Sequence, residues 1–226
     1  MLENAKLRGL IGLALKEDIG TIDVTTTNLI SKSVKIKADI LTREDGVICG
    51  IPVCEAVFEH LNAEIKFKPQ VNEGDYVYKG KAVCYLEGPA WPILAGERTA
   101  LNFLGRLSGI STETRKFAEK VRLYGTKILD TRKTTPGLRF LEKYAVKIGG
   151  GENHRKGLWD QVLIKDNHLK LLRSKPLTMN KMLKDVRRKI QKNTKIEIEV
   201  DNLKDFEEAL GGYPDIIMLE NMEPGD

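Results

Sequence analysis

Asp130-Thr131-Arg132-Lys133-Thr134-Thr135-Pro136-Gly137-Leu138-Arg139 follows an apolar run, Lys127-Ile128-Leu129, and leads into a helix-like run from Leu138 to Tyr144. Apolar run, polar loop, then proline near a helix start is the order of a βα unit. The loop carries two adjacent cations and several hydroxyls and ends at a helix N-terminus, a composition suited to anions. Asn153-His154-Arg155 and Ile164-Lys165-Asp166-Asn167-His168 follow, the second again after an apolar run. Three cationic clusters at strand ends predict one pocket for a small, strongly anionic substrate.

C-terminal to this loop the pattern repeats. Apolar runs at 127–129, 161–164, 195–200 and 215–219 read as strands, with helices between them, most clearly Met179 to Ile190 and Asn202 to Leu210, the latter capped by Asn202. Repeated βα units predict a parallel sheet or barrel with its chemistry at the C-terminal strand ends. The polar groups fall there: Thr131 to Thr135, Lys165 to His168, Glu199, then Glu220 and Asn221. In Ile196-Glu197-Ile198-Glu199-Val200, alternation puts both carboxylates on one face and the aliphatics on the other. In a barrel strand the acids would point inward and need cationic partners.

N-terminal to the loop the pattern is α+β. Leu7, Leu10, Ile11, Ala14 and Leu15 predict a helix over 3–17. Glu17 to Thr26 reads as a loop whose acids and hydroxyls cap and turn rather than bind metal. Lys35 to Thr42 alternates as a strand, Pro52 opens a helix, and Ile65 and Phe67 mark a second strand. Residues 76–78 and 82–86 read as a short strand and its return strand. From Pro92 to Tyr124 two helices are expected, separated at Gly109 and Ser111 with Ser111 as an N-cap. Arg98 lies near the start of the first, and its ordinary reading is a surface arginine paired with an acid. The expected domains are 1–92, an α+β unit, and 93–226, an α/β unit.

Composition narrows the class. The chain of 226 residues is 41% hydrophobic and 31% charged, with net charge +5, the balance of a globular protein. The charges are interspersed and only Arg187-Arg188-Lys189 is a tight basic run, which argues against a nucleic-acid partner. No apolar stretch is long enough to span a membrane. Cys49, Cys54 and Cys84 form no CxxC pair, so a reduced, cytoplasmic chain is the simpler expectation. They also lie outside the cationic region, against a cysteine nucleophile. Three histidines without HxH or HExxH spacing argue against zinc. Gly149-Gly150-Gly151 is neither a Walker A loop nor GxGxxG. Carboxylates beside cationic loops fit polyanion binding, with Mg²⁺ bridging acids and phosphates as one option.

Four motifs, taken together, resemble the quinolinate phosphoribosyltransferase family, the carboxylating nicotinate-nucleotide pyrophosphorylases of NAD synthesis. They are Glu97-Arg98-Thr99-Ala100-Leu101-Asn102-Phe103-Leu104, Asp130 to Gly137, Gly149-Gly150-Gly151-Glu152-Asn153-His154-Arg155, and Leu163-Ile164-Lys165-Asp166-Asn167-His168. Glu17-Asp18-Ile19-Gly20 and Asp23-Val24-Thr25-Thr26 fit its N-terminal region, and the likeness runs from about residue 10 to 222. The resemblance implies an N-terminal α+β sandwich and a TIM-like α/β barrel, incomplete in this chain, paired into a homodimer or a dimer-based hexamer. It implies Mg²⁺-dependent transfer of phosphoribose from phosphoribosyl pyrophosphate to the quinolinate nitrogen with decarboxylation. By the same resemblance Arg132, His154 and Arg155 hold quinolinate with Lys165 close by, and Arg98 reaches in from the partner subunit. Lys133 meets the phosphates of the second substrate. Glu199 and Glu220 face the ribose and Mg²⁺, and Lys133, Lys165, Glu199 and Glu220 form the catalytic set.

Two departures qualify the expectation. Leu219-Glu220-Asn221 has Glu where the family pattern has Asp, and one methylene displaces a carboxylate by about 1 Å, a distance to which catalysis is sensitive. The family also implies about two more βα units beyond Asp226, each roughly 30 residues, carrying loops that grip the ribose phosphate. Without them 215–219 lies at a sheet edge. The alternatives at this point are an impaired remnant that dimerises and binds dicarboxylates, and a related phosphoribosyltransferase with another acceptor.

Overall fold

A computed structural model describes residues 4–173 and 178–223, which fall into two units, Met1–His154 and Arg155–Asp226. The first opens with α1 (Asn4–Ile19), whose buried stripe is Leu7, Ile11 and Leu15. The expected start of this helix at Glu3 lies outside the described residues. The segment expected as a continuous loop contains a helix, α2 (Val24–Leu29). Its cap is Asp23, which accepts from the Thr25 and Thr26 N–H groups at 3.0 and 2.9 Å. Three threonines and an asparagine hid a helix that exists because it is capped.

The first unit's larger sheet is antiparallel, with β5 (Ala82–Pro89) between β1 (Lys35–Leu41) and β3 (Lys66–Pro69). Ala38 and Phe67 both pair with Leu86. The expected hairpin of 76–78 with 82–86 does not form. β4 (Tyr76–Val77) pairs instead with β2 (Gly46–Val47), a strand too short for alternation to reveal. α3 (Ile51–Leu61) carries Pro52 in its first turn and buries Val53, Cys54, Val57 and Phe58. Gly50 precedes it with φ 105°, and a Cβ there would stand 2.9 Å from Leu107 Cδ1, so both torsion and space require glycine.

The two helices expected between Pro92 and Tyr124 are one, α4 (Ala90–Val121), followed by a 3₁₀ turn at Arg122–Tyr124. Ser111 is not a cap: it is fully buried and its hydroxyl donates to the Ala145 carbonyl at 2.7 Å, tying α4 to α5 (Arg139–Ile148). Gly149 explains why those helices approach so closely, since a Cβ there would lie 2.5 Å from the Ser111 carbonyl oxygen. The strand expected at 127–129 shrinks to one parallel bridge, Leu129 to Glu152. Leu129 is half exposed, so little burial favours a longer ladder.

The second unit is an open parallel sheet in the order β6 (Val162–Ile164), β7 (Ile196–Val200), β8 (Ile216–Leu219). Helices α6 (Asp166–Arg173) and α7 (Met179–Lys189) follow β6, and α8 (Leu203–Leu210) joins β7 to β8. Ile196, Ile198 and Val200 pack with Met179, Met182 and Leu183 of α7 and Ala209 of α8. The opposite face of β7 is left to its two glutamates, as alternation requires. Asn202 caps α8, accepting from the Asp205 N–H at 2.9 Å.

Candidate active site

In the first unit His154 is bonded to a buried ion pair. The Asp130 and Lys143 side chains are 6% and 5% exposed. Asp130 Oδ1 accepts from Lys143 Nζ and from the His154 N–H, the latter at 2.9 Å. Its Oδ2 accepts from Asn153 Nδ2 at 2.6 Å, and that amide also donates to the Lys143 carbonyl at 2.8 Å. Lys143 Nζ further donates to the His154 carbonyl at 3.1 Å. Such a pair persists away from water because further hydrogen bonds support both charges, and breaking one costs about 3–5 kcal/mol.

The 131–135 loop is folded onto itself and onto α5. The Lys133 N–H donates to Thr131 Oγ1 at 3.0 Å, and Arg139 Nε donates to Thr134 Oγ1 at 3.0 Å. Arg106 of α4 donates to both Thr135 and Glu142, and Glu142 in turn accepts the Thr135 N–H at 3.1 Å. Burial raises the Glu142 carboxyl, but Arg106 and Thr135 outweigh it and hold the group below its ordinary value. Within this frame Lys133 is exposed, whereas Arg132 Nε is buried and meets no acceptor. It is the one side-chain nitrogen or oxygen of that kind among the described residues. An orphaned buried donor costs about 1–3 kcal/mol, and an incoming anion would satisfy it. Arg98 is exposed on α4, outside this network.

In the second unit Lys165, just past β6, grips Glu199 with both carboxylate oxygens, at 2.7 and 3.0 Å. Glu199 is nearly buried, but the Lys165 side chain is 43% exposed. His168 Nδ1 accepts the Lys165 N–H at 2.9 Å, which puts the proton of the neutral ring on Nε2. The other β7 acid, Glu197, accepts from Gln161 Nε2 at 2.6 Å. Arg155 is buried and its Nη1 donates to the Gln161 carbonyl at 3.5 Å. Glu199 and Glu220 line one cavity of about 90 Å³ with Asp166, Asp201, Asp205 and Lys170. Glu220 is exposed at its rim, held by its N–H to the Val200 carbonyl at 2.8 Å. The cysteines take no part: all three are buried, and burial pushes the Cys49 thiol up to about 12.

Comparison with known proteins decides the family. Residues 23–108 match the quinolinate phosphoribosyl transferase N-terminal domain and 110–226 its C-terminal domain. The chain belongs to the quinolinate phosphoribosyltransferase family. It is 37% identical over 223 residues to a probable nicotinate-nucleotide pyrophosphorylase [carboxylating] of Bacillus subtilis, covering 99% of this chain and 75% of that one. A protein of the same description from Synechocystis is 40% identical over 208 residues, 92% of this chain and 69% of its own length. The crystal structure of NadC from Streptococcus pyogenes superposes with a TM-score of 0.93 at 36% identity, covering all of this chain and 78% of that one.

Within this transferase family frame, the residues singled out from sequence divide between the units: Arg98, Arg132, Lys133 and His154 in the first, Arg155, Lys165, Glu199 and Glu220 in the second. His154 is bonded through its backbone to the Asp130–Lys143 pair and Arg132 lies two residues beyond Asp130, while Glu199 and Glu220 share one cavity wall and Lys165 is bonded to Glu199. Sequence reasoning missed Asp130, Lys143, Gln161 and the acids at 166, 201 and 205. Lys143 did carry a signal, since it lies among Phe140, Leu141, Tyr144 and Ala145 on a helix whose apolar side is buried.

Proposed function

We propose that this chain transfers the phosphoribosyl group of phosphoribosyl pyrophosphate to the ring nitrogen of quinolinate and releases the 2-carboxylate, giving nicotinate mononucleotide, pyrophosphate and CO₂. The observation that carries the reading is the buried, acceptor-less Arg132 guanidinium nitrogen in a loop otherwise bonded through Thr131, Thr134 and Thr135. A dicarboxylate supplies the geometry a guanidinium fork prefers. In this reading Arg132, His154, Arg155 and Lys165 answer the two carboxylates, Lys133 meets phosphate, and Arg98 serves the site of a partner copy in a homodimer.

The nitrogen lone pair forms the bond to the ribose anomeric carbon as the C–O bond to pyrophosphate breaks. The developing positive charge on the sugar calls for carboxylates, and Glu199 and Glu220 are of the right sign. The quaternised ring then accepts the electron pair of the breaking C–COO⁻ bond, and a proton replaces CO₂. Lys165 starts on Glu199 with its side chain partly exposed, so an arriving carboxylate can meet its ammonium from the solvent side.

The acids suit Mg²⁺ in donor type, being hard oxygen ligands. No three metal-ligating side chains converge among the described residues, which fits an ion held by one or two carboxylates with water and substrate oxygens completing its shell. Glu220 and Glu199 would hold it, and bound there it would neutralise the pyrophosphate leaving group. The test is nicotinate mononucleotide formation by this chain from quinolinate, phosphoribosyl pyrophosphate and Mg²⁺. Product that falls by about 30-fold or more in Arg132→Ala supports the reading, as loss of a charged hydrogen bond of about 2–3 kcal/mol requires. Calorimetry showing nicotinate bound more tightly than quinolinate overturns the substrate assignment.

A further inference from the structure

Resting on that transferase reading, we propose that the buried Asp130–Lys143 pair, together with Asn153, is a positioning unit for the acceptor site: it sets the mutual placement of the Arg132 loop and His154 and acts through them. The backbone alone supplies little of this. Segments 128–130 and 152–154 share one bridge pair, with Asp130 N–H to the Glu152 carbonyl at 3.1 Å and Glu152 N–H to the Ile128 carbonyl at 2.8 Å. Parallel ladders hold register through a series of bonds, and a single bridge leaves the chain beyond it free to pivot. Arg132 leaves this bridge on one strand and His154 on the other.

The side chains remove that freedom. The His154 backbone is held on both sides of its Cα by one ion pair: its N–H donates to Asp130 Oδ1 and its C=O accepts from Lys143 Nζ. Bonds to ionised groups are shorter and stronger than neutral ones, so the orientation of this residue is set by charge-assisted contacts. Asn153 closes the ring by bonding to Asp130 and to the Lys143 carbonyl. The pair carries no net charge and is sealed from water, so it does not compete for the anionic acceptor. Packing alone would be met as well by apolar side chains of similar volume. What apolar side chains cannot do is fix a residue by both its backbone donor and its backbone acceptor.

The experiment uses the full chain as Lys143→Met and Asn153→Ala variants, with initial rates measured against each substrate in turn, calorimetric quinolinate binding, and circular dichroism to establish folding. Lys143→Met should raise the quinolinate KM roughly tenfold or more, and Asn153→Ala about threefold, with the phosphoribosyl pyrophosphate KM changed less than about twofold in both. A role confined to holding the fold lowers the active fraction, and so apparent kcat, without moving either KM. An unchanged quinolinate KM in a folded variant, or an equal rise in both KM values, overturns the proposal. If Lys143→Met fails to fold, the split in Asn153→Ala decides alone. A wild-type chain that neither binds nor converts quinolinate overturns the transferase reading, and this proposal falls with it, whereas a competent wild type with insensitive variants sinks only the proposal.

Discussion

Each unit contains a lysine–carboxylate pair, and the two are built for different work. In Asp130–Lys143 both side chains are buried, at 6% and 5% exposure, and the pair is also bonded to the His154 backbone and the Asn153 amide. In Lys165–Glu199 the acid is buried at 7% but the lysine side chain is 43% exposed, and among the described residues its ammonium bonds to the carboxylate alone. A sealed pair cannot exchange partners without a large penalty. A half-open pair can, because the ammonium has solvent on one side and the acid keeps its place in the sheet. Burial asymmetry, more than charge or distance, separates the positioning pair from the one suited to meeting a substrate.

The largest expected effect breaks the sealed pair. Lys143→Met should destabilise the chain by about 3–5 kcal/mol in urea unfolding, because Asp130 is left buried with its charge unanswered. Asp130→Asn should cost nearly as much. Its amide would face Asn153 Nδ2 or the Lys143 ammonium, donor against donor, whichever way it turned. The Asp130→Asn/Lys143→Met double variant should recover part of the loss, with a coupling of about 1–3 kcal/mol. A purely additive double variant would show that the two charges are not a unit.

The half-open pair should respond in the reverse proportion. Lys165→Met should lower stability by only about 1–2 kcal/mol, since water can approach from the exposed side. It should nevertheless reduce kcat/KM by roughly 100-fold if Lys165 exchanges between Glu199 and substrate. A stability loss matching that of Lys143→Met would erase the distinction between the pairs.

Acid titration sharpens the comparison through two arginine–carboxylate pairs. Burial raises both Glu142 and Asp215, but bonds from Arg106 and Thr135 in the first case, and from Arg187 and the Ile196 N–H in the second, bring each below its ordinary value. A depressed folded-state value means that stability is fully present above the unfolded carboxylate range and is lost as pH falls through the folded value. Unfolding midpoints should therefore drop between about pH 5 and pH 2, and Arg106→Met should flatten the part due to Glu142. The Glu142 part should be the larger, because its side chain is 10% exposed against 41% for Asp215. An unaltered pH slope in Arg106→Met would move the acid sensitivity elsewhere.

What the sequence made legible follows from range. Alternation over five or more residues identified β1 and β7 and sent Glu199 to the face opposite the core. Strand ends with cations located the loops. Short or capped elements escaped: β2 is two residues long, and α2 is six residues, four of them threonine or asparagine, and exists through its cap. Ser111 misled because a serine inside a helix is read as a boundary, whereas here its hydroxyl is satisfied by a carbonyl of another helix. The buried pair escaped for a similar reason. A lysine beside apolar residues reads as solvated until its counter-charge, 13 positions away in sequence, is seen to reach it.

The smallest expected effect separates the Lys165–Glu199 pair from the helix beside it. Asn202 caps α8 directly after the strand that carries Glu199, and its loss by Asn202→Ala should cost about 1 kcal/mol. Glu199 itself is fixed by β7, whose neighbours on both sides supply parallel pairing, Ile198 to Ile164 and Glu199 to Met218. Fraying of the first turn of α8 should therefore leave the Lys165–Glu199 geometry in place, and turnover should change by less than about twofold while the unfolding midpoint drops. A tenfold fall in turnover would mean that Asp201 and Asp205, on the cavity wall that α8 carries, contribute to the site on a par with Glu199. The half-open pair would then be one member of an acidic wall, and the contrast with the sealed pair would lie in the number of carboxylates as well as in burial.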